Sequence, residues 1–471
     1  MKITLKRLIL FIVMIQVVFI IGLFALPQVV EALPGAYYVR LQSHPLTSGV
    51  MELITTPVPE SLPAPAGEVA AADLSTLPEI PGLPTLMPSA TPTMPPTNTP
   101  SPTPQPTIDT AATAAAAPTD TPAPTPTNTP MPTPVPLPVS HVLEGLTNQK
   151  QGFNNCGPAN LTIVYNYFGD PVTQEEAAAY LKPNQEDRNV SPWQIVSYVN
   201  DVRNNPAVRA QAFSGGNMEM IKRFIFNGIP VVIEKGYEPS NGTGWYGHYL
   251  TVYGYDDEVG EIYSLDTNLG PFDGRPRIDS YDEFLYWWQQ FNYTFYVLYT
   301  PAQQELVESI VPAELQDEQT MWEFTAQLAE TEIEADPDNV FAWFNLGVSL
   351  TRLGEIALAN NAAYYEAGTQ AFDQARTIGL PTRALYYEHR LFMAYWKVGR
   401  LDDVLELSDA MLNTLGGQWI EEIYWYQGHA LVSEGDYTGA RTAYENALDV
   451  NPNFEQAQQS LDWLNATFFS G

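Results

Sequence analysis

The chain has 471 residues, with 21 Lys and Arg against 54 Asp and Glu, a formal net charge of -33 and a single cysteine. This length makes room for two or three domains, and one cysteine excludes both an intramolecular disulfide and a Cys-based zinc site. So acidic a chain repels phosphate backbones and tells against nucleic acid as a partner; residues 301–471 alone carry 27 acidic and 7 basic side chains.

At the N-terminus, Lys2, Lys6 and Arg7 precede an apolar run from Leu8 to Leu26 that is interrupted by Gln16. A helix of this run spans about 29 Å at about 1.5 Å per residue, close to the hydrocarbon core of a bilayer. It is longer than a signal-peptide core of about 7–15 residues, and no small-x-small site follows. Residues 1–40 are therefore expected to hold an uncleaved membrane anchor, with a cleaved signal as the alternative. The basic residues place 1–7 in the cytoplasm and the rest outside. Residues 41–140 follow as a linker. No Lys or Arg lies between Arg40 and Lys150, and 24 of the 41 prolines fall between Pro57 and Pro138. Thr/Pro repetition of this kind cannot bury a core, and it predicts a disordered, partly polyproline II stalk.

Residues 141–302 change character. Helices are predicted at 157–168, 174–181, 192–202, 218–227 and 281–290, and strands at 230–234, 248–255, 261–265 and 294–299. Helices first and strands afterwards predict an α+β domain with a mostly antiparallel sheet. From 303 to 471 the pattern is helical and repeats. Gly428, Gly435, Ala440, Tyr444, Ala447 and Pro452 fit tetratricopeptide spacing. Pro337, Trp343, Leu346, Gly347 and Gly354 stand in the same register, with about nine extra residues before Ala371. A weaker copy covers 384–412, and 453–468 reads as a capping helix. An all-α array of tetratricopeptide-like repeats that binds a protein partner is expected.

Chemistry centres on Cys156. Pro158 suits the first turn of a helix, and Leu161, Val164, Tyr165 and Phe168 recur at helical spacing, so the thiol sits at a helix N-terminus. Unpaired N–H groups and the helix dipole favour a thiolate there. Of five histidines only His248 is well placed, at the head of a strand in which His248, Leu250 and Val252 share one face. A hairpin turning at Asp257 or Glu258 puts position 266 or 268 opposite it, so Asp266 or Asn268 would fix the imidazole tautomer. Gln151, five residues before Cys156, is the candidate oxyanion donor, with Gln149 as its competitor.

Gln151, Cys156-Gly157-Pro158, His248-Tyr249 and Asp266 in this order resemble the papain-like cysteine peptidases of the bacteriocin-leader-processing, double-glycine type. The resemblance covers residues 141–300. It implies that Cys156 attacks an amide carbonyl, His248 acts as base and then acid, Asp266 orients His248, and Gln151 lines the oxyanion hole, with no cofactor or metal. Gln151 stands one residue closer to the cysteine than in the family pattern, and no transporter domain accompanies it, so leader specificity does not carry over. The expectation is an exported, membrane-tethered cysteine peptidase acting on a peptide or protein. The alternative is an inactive scaffold that binds proteins.

Overall fold

The computed structural model describes residues 136–239, 244–357, 361–414 and 416–469, a segment at 58–65 and a few isolated positions before it. The apolar run 8–26, Gln16 apart, and residues 66–135 of the expected linker lie outside the described residues. Among the described residues no helix is long and apolar enough to cross a membrane. The described residues up to 65 and those from 138 on belong to one compact unit.

The α+β domain is built on β1 (Ser140–Val142), β2 (Arg209–Phe213), β3 (Val231–Tyr237), β4 (Tyr246–Asp256), β5 (Glu261–Asp266), β6 (Arg277–Ser280) and β7 (Phe295–Tyr299). Every pairing is antiparallel, in the order β2-β7-β3-β4-β5-β6, with β1 added to the far end of β4. The four predicted strands are β3, β4, β5 and β7. The other three are short segments without the alternation that marks a strand.

Helices α1 (Cys156–Tyr167), α2 (Gln174–Leu181), α3 (Pro192–Ser197), α4 (Met218–Phe226) and α5 (Tyr281–Gln289) match the predicted five, and the end of the third winds as a π-helix over Tyr198–Arg203. Alternation along the central strands sorts the core onto two faces. Val232, Tyr249, Tyr296 and Leu298 pack with Leu161, Val164 and Tyr165 of α1. Ile233, Leu250, Val252 and Val297 pack with Ile221 and Phe224 of α4 and Phe284 and Trp288 of α5. That second cluster runs on without a break into Trp322, Phe344 and Leu346 of the helical region.

The helical region comprises α6 (Gln304–Ile310), α7 (Glu318–Ala335), α8 (Val340–Ile356), α9 (Asn361–Ile378), α10 (Arg390–Lys397), α11 (Leu401–Leu412), α12 (Glu421–Glu434), α13 (Tyr437–Val450) and α14 (Glu455–Leu464). Small residues let the paired helices approach. A Cβ on Gly428 would lie 2.4 Å from Tyr444 Cε1, and one on Gly347 would lie 2.6 Å from Phe372. The pair α8 and α9, with 17 and 18 residues, is longer than the pair α12 and α13, with 14 each. The array is fastened to the α+β domain by direct hydrogen bonds, among them Asn345 Nδ2 to the Gln289 carbonyl at 2.7 Å and Tyr293 Oη to Glu332 at 2.6 Å.

One segment departs from the expected stalk. Residues 58–65 lie on the array. Leu62 is buried in the main core, its N–H donates to the Leu380 carbonyl at 2.9 Å, and Ser61 bridges to Pro381. The buried Arg376 donates through Nε to the Pro63 carbonyl at 2.9 Å. The apolar anchor Leu62 is hidden in the sequence by the prolines around it. The described residues 58–65 therefore belong to the same folded unit as residue 138 onward.

Candidate active site

Cys156 opens α1, so its own N–H and that of Gly157 belong to the first turn, where no intrahelical acceptor exists. The approach to it is pinned residue by residue. Asn154 takes a left-handed φ of 55°, a conformation that asparagine tolerates better than most residues. The buried Lys182 spans the Asn154 and Gln185 carbonyls at 3.3 and 3.1 Å and carries a positive charge towards the thiol. The Gln174 side chain accepts from Gly152 N at 2.8 Å and donates to the Lys150 carbonyl at 3.0 Å, clamping the backbone on both sides of Gln151.

Gln151 itself is tied to β5. Its N–H donates to the Thr267 carbonyl at 2.8 Å, and its Oε1 accepts from the Thr267 hydroxyl at 2.8 Å, which sets the amide with Nε2 as its remaining donor. The competitor Gln149 is spent on α1, donating to the Ala159 carbonyl at 2.9 Å and to Thr162. Asn160, one turn below the cysteine, is fully buried. Its Nδ2 reaches the Cys156 carbonyl at 2.9 Å and the Tyr249 carbonyl at 3.1 Å, while its Oδ1 accepts from Thr251 at 2.7 Å. One amide thus joins the cysteine helix to the histidine strand. The sequence shows Asn160 only as the start of an N-x-Thr pattern; its spacing of four from Cys156 was the signal available.

His248 is buried on β4, and its Nε2 donates to Asp266 Oδ1 at 3.0 Å. The ladder pairs Leu250, not His248, with Asp266, which puts the hairpin centre at Glu258 and position 268 formally opposite His248. Asp266 nevertheless reaches the imidazole diagonally, two residues along the same face. Asn268 is occupied elsewhere, its side chain 3.4 Å from the Tyr237 hydroxyl. A bulge between Val252 and Gly254 breaks the alternation beyond this point, and Tyr253 joins the cluster of Leu250 and Val252.

Asp266 has no exposed surface, and its acceptors are saturated. Besides His248, Oδ1 receives the N–H groups of Asn268 and Leu269 at 2.9 and 2.8 Å, and Oδ2 receives Arg277 Nη1 at 3.0 Å. Burial alone would raise its pKa; these donors and the His248 charge hold it well below the usual carboxylate range. Burial likewise opposes a charge on His248, but the hydrogen bonds to Asp266 and Cys156 and their charges bring it up to about 9. For Cys156 burial pushes upward, and the His248 hydrogen bond and charge, Lys182 and the Gly157 N–H overcome it, leaving the thiol below its ordinary value. With Nε2 engaged by Asp266, Nδ1 is the ring nitrogen left for the sulfur. The arrangement favours a thiolate beside an imidazolium.

Residues 145–295 match the model of the Peptidase_C39 like family. The match spans about a third of the chain and supports a papain-like cysteine peptidase domain there. No curated protein matches the chain. Within the peptidase domain, sequence reasoning missed Arg277, which also grips Asp279 at 2.8 Å, and Lys235, which pairs directly across β3 and β4 with His248. Lys235 Nζ is buried without a hydrogen-bond partner, and burial with the nearby Arg277 lowers it to about 8. Asp257, in the turn, pairs with Lys222 and accepts from Tyr281 at 2.7 Å. Among the described residues no group of His, Cys, Asp or Glu is arranged to hold a metal ion.

Proposed function

We propose that the protein is an exported, membrane-tethered cysteine peptidase or amidase, with Cys156 as nucleophile, His248 as base and acid, Asp266 as its orienter, Gln151 in the oxyanion hole, and a tetratricopeptide-like array that holds a protein partner. The observation that supports it most is the continuous set Cys156, His248, Asp266, with the thiol at a helix N-terminus. The Cys156 thiolate attacks the amide carbon. The oxygen that becomes negative meets the Cys156 N–H and Gln151 Nε2. His248 gives its proton to the departing amine as the C–N bond breaks, leaving a thioester. Water then loses a proton to His248, adds to the thioester carbonyl, and expels the thiolate with release of the acid. Arg277 and the two backbone N–H groups keep Asp266 ionised, so that the histidine is held in one orientation through both half-reactions.

The test is the alkylation rate of Cys156 by iodoacetamide against pH, in the wild type and in His248→Ala. One cysteine per chain makes the reading unambiguous. Reaction that stays fast well below the ordinary thiol pKa of about 8.5, and that loses this feature in the variant, is expected. A rate that follows an ordinary thiol in both proteins would refute the assignment and favour the scaffold.

A further inference from the structure

Between the α+β domain and the array lies a cavity of about 670 Å³, within the range of about 300–1,000 Å³ typical of ligand sites. Neither Cys156 nor His248 lines it. Its wall nevertheless runs beside the histidine strand: Glu234 pairs across the sheet with Tyr249, and Tyr387 lies against Gly247, the two neighbours of His248.

Acidic side chains outnumber basic ones on its wall. Arg352 and Arg390 belong to it, but both are engaged by acids of the same wall. Glu355 lies 3.6 Å from Arg352 and 3.4 Å from Arg390, and Glu388 lies 3.2 Å from Arg390. Asp187, Glu421 and Glu422 also line it, and among the described residues none of the three has a Lys or Arg at ion-pair distance; Lys182 acts on Asp187, and Arg390 on Glu422, only from further off. Glu421 accepts from Asn451 Nδ2 at 2.6 Å, and Asp187 accepts from the Asn189 N–H at 3.2 Å. Glu422 has His389 Nδ1 at 3.9 Å, and burial keeps that imidazole neutral, with its pKa down at about 4.

Two further groups of the wall are unsatisfied. Glu234 and His389 line the cavity and are 5% and 8% exposed, yet Glu234 Oε1 and His389 Nε2 have no hydrogen-bond partner. A buried polar atom left unpaired is destabilising, and a bound donor or acceptor relieves it. Trp425, Tyr426 and Phe454 supply aromatic faces on the same wall. Buried carboxyls with no cation at ion-pair distance, beside aromatic rings, are the chemistry that receives an ammonium or guanidinium group.

We propose that this cavity seats the substrate polypeptide and that Asp187, Glu421 and Glu422 receive a lysine or arginine side chain of it, making the enzyme selective for basic peptides; the proposal rests on the peptidase reading of Cys156. Burial raises all three carboxyls, Asp187 well above its usual value, Glu421 to about 8 and Glu422 to about 7, and an incoming cation returns them to the charged form. The array then serves as half of the substrate site, and the aromatic residue Phe291, stacked on Trp245 and edge-on to Tyr387, forms part of the shared wall.

The experiment uses the full chain carrying Cys156→Ala, so that bound peptide is not cut, and follows the anisotropy of fluorescein-labelled (Lys-Ala)4 and (Gln-Ala)4. A preference of roughly tenfold for the lysine peptide is expected. Adding E421Q/E422Q should reduce it to within about twofold, whereas the charge-matched surface pair E258Q/D282N should retain it. No preference, or one that survives E421Q/E422Q, overturns the proposal. Alkylation of Cys156 in the wild-type chain, measured without peptide, separates the two readings. A fast thiol with no lysine preference sinks the cavity assignment alone. A sluggish thiol with a variant-sensitive preference leaves a basic-peptide site and sinks the peptidase.

Discussion

Asp266 in the α+β domain and Glu421 in the helical array are both almost wholly buried, and they titrate in opposite directions. Asp266 receives an imidazole, a guanidinium and two backbone N–H groups; Glu421 receives one amide and faces a second glutamate. Depth is the same, so the number and charge of the donors decide. In the α+β domain the buried acid is held ionised in advance, as an orienter must be. On the cavity side the buried acids stay protonated until a positive partner comes.

Five substitutions put this contrast to the test. The largest effect is expected from Cys156→Ala or His248→Ala, each of which should lower peptide hydrolysis by several orders of magnitude while leaving the far-UV circular dichroism unchanged. Turnover retained in either variant would remove the assignment. Next comes Arg376→Ala. Arg376 pairs with Asp403 at 2.9 Å and also holds the Pro63 carbonyl, so its loss leaves a buried carboxylate with one ion-pair partner fewer. A destabilisation of about 3–5 kcal/mol in urea unfolding is expected, with new proteolytic sensitivity around residues 58–65.

A smaller loss, about 1–3 kcal/mol, is expected for Gly428→Ala, whose methyl group collides with Tyr444. Because that collision lies between α12 and α13, the alkylation rate of Cys156 below the melting range should not change. The gentlest test is pH. Glu421 keeps its proton in the folded chain up to about 8, whereas an unfolded glutamate releases it near about 4.3. The folded state then binds more protons, and stability falls as pH rises between these values. The thermal midpoint should decline from pH 5 to pH 8, and Glu421→Gln should flatten the decline. Asp266 has the opposite sign: its contribution is intact at neutral pH and is lost only on strong acidification.

The helical character of the C-terminal region was legible because apolar, small and aromatic residues recur at helical spacing along one continuous stretch. Cys156 and His248 were legible because one begins a helix and the other lies near the start of a strand, and element starts carry local signals such as Pro158 and the alternation after His248. The choice between Asp266 and Asn268 was not, since register alone puts 268 opposite the histidine and only side-chain reach brings 266 to it. Arg277, Lys235 and Gln174 escaped for the same reason. Their roles come from strands and loops brought together at long range, and nothing near them in the chain marks it. β1, β2 and β6 are recruited by partners already in the sheet. Each is short, and their segments SHV, RAQAF and RIDS have little pattern of their own.

The docking of residues 58–65 has a consequence for the continuity of the chain. The described residues on the two sides of the Thr/Pro-rich stretch, 58–65 and β1, are fastened to one body. A cut between residues 66 and 135 would leave two pieces kept together by Leu62 and the grip of Arg376 on Pro63.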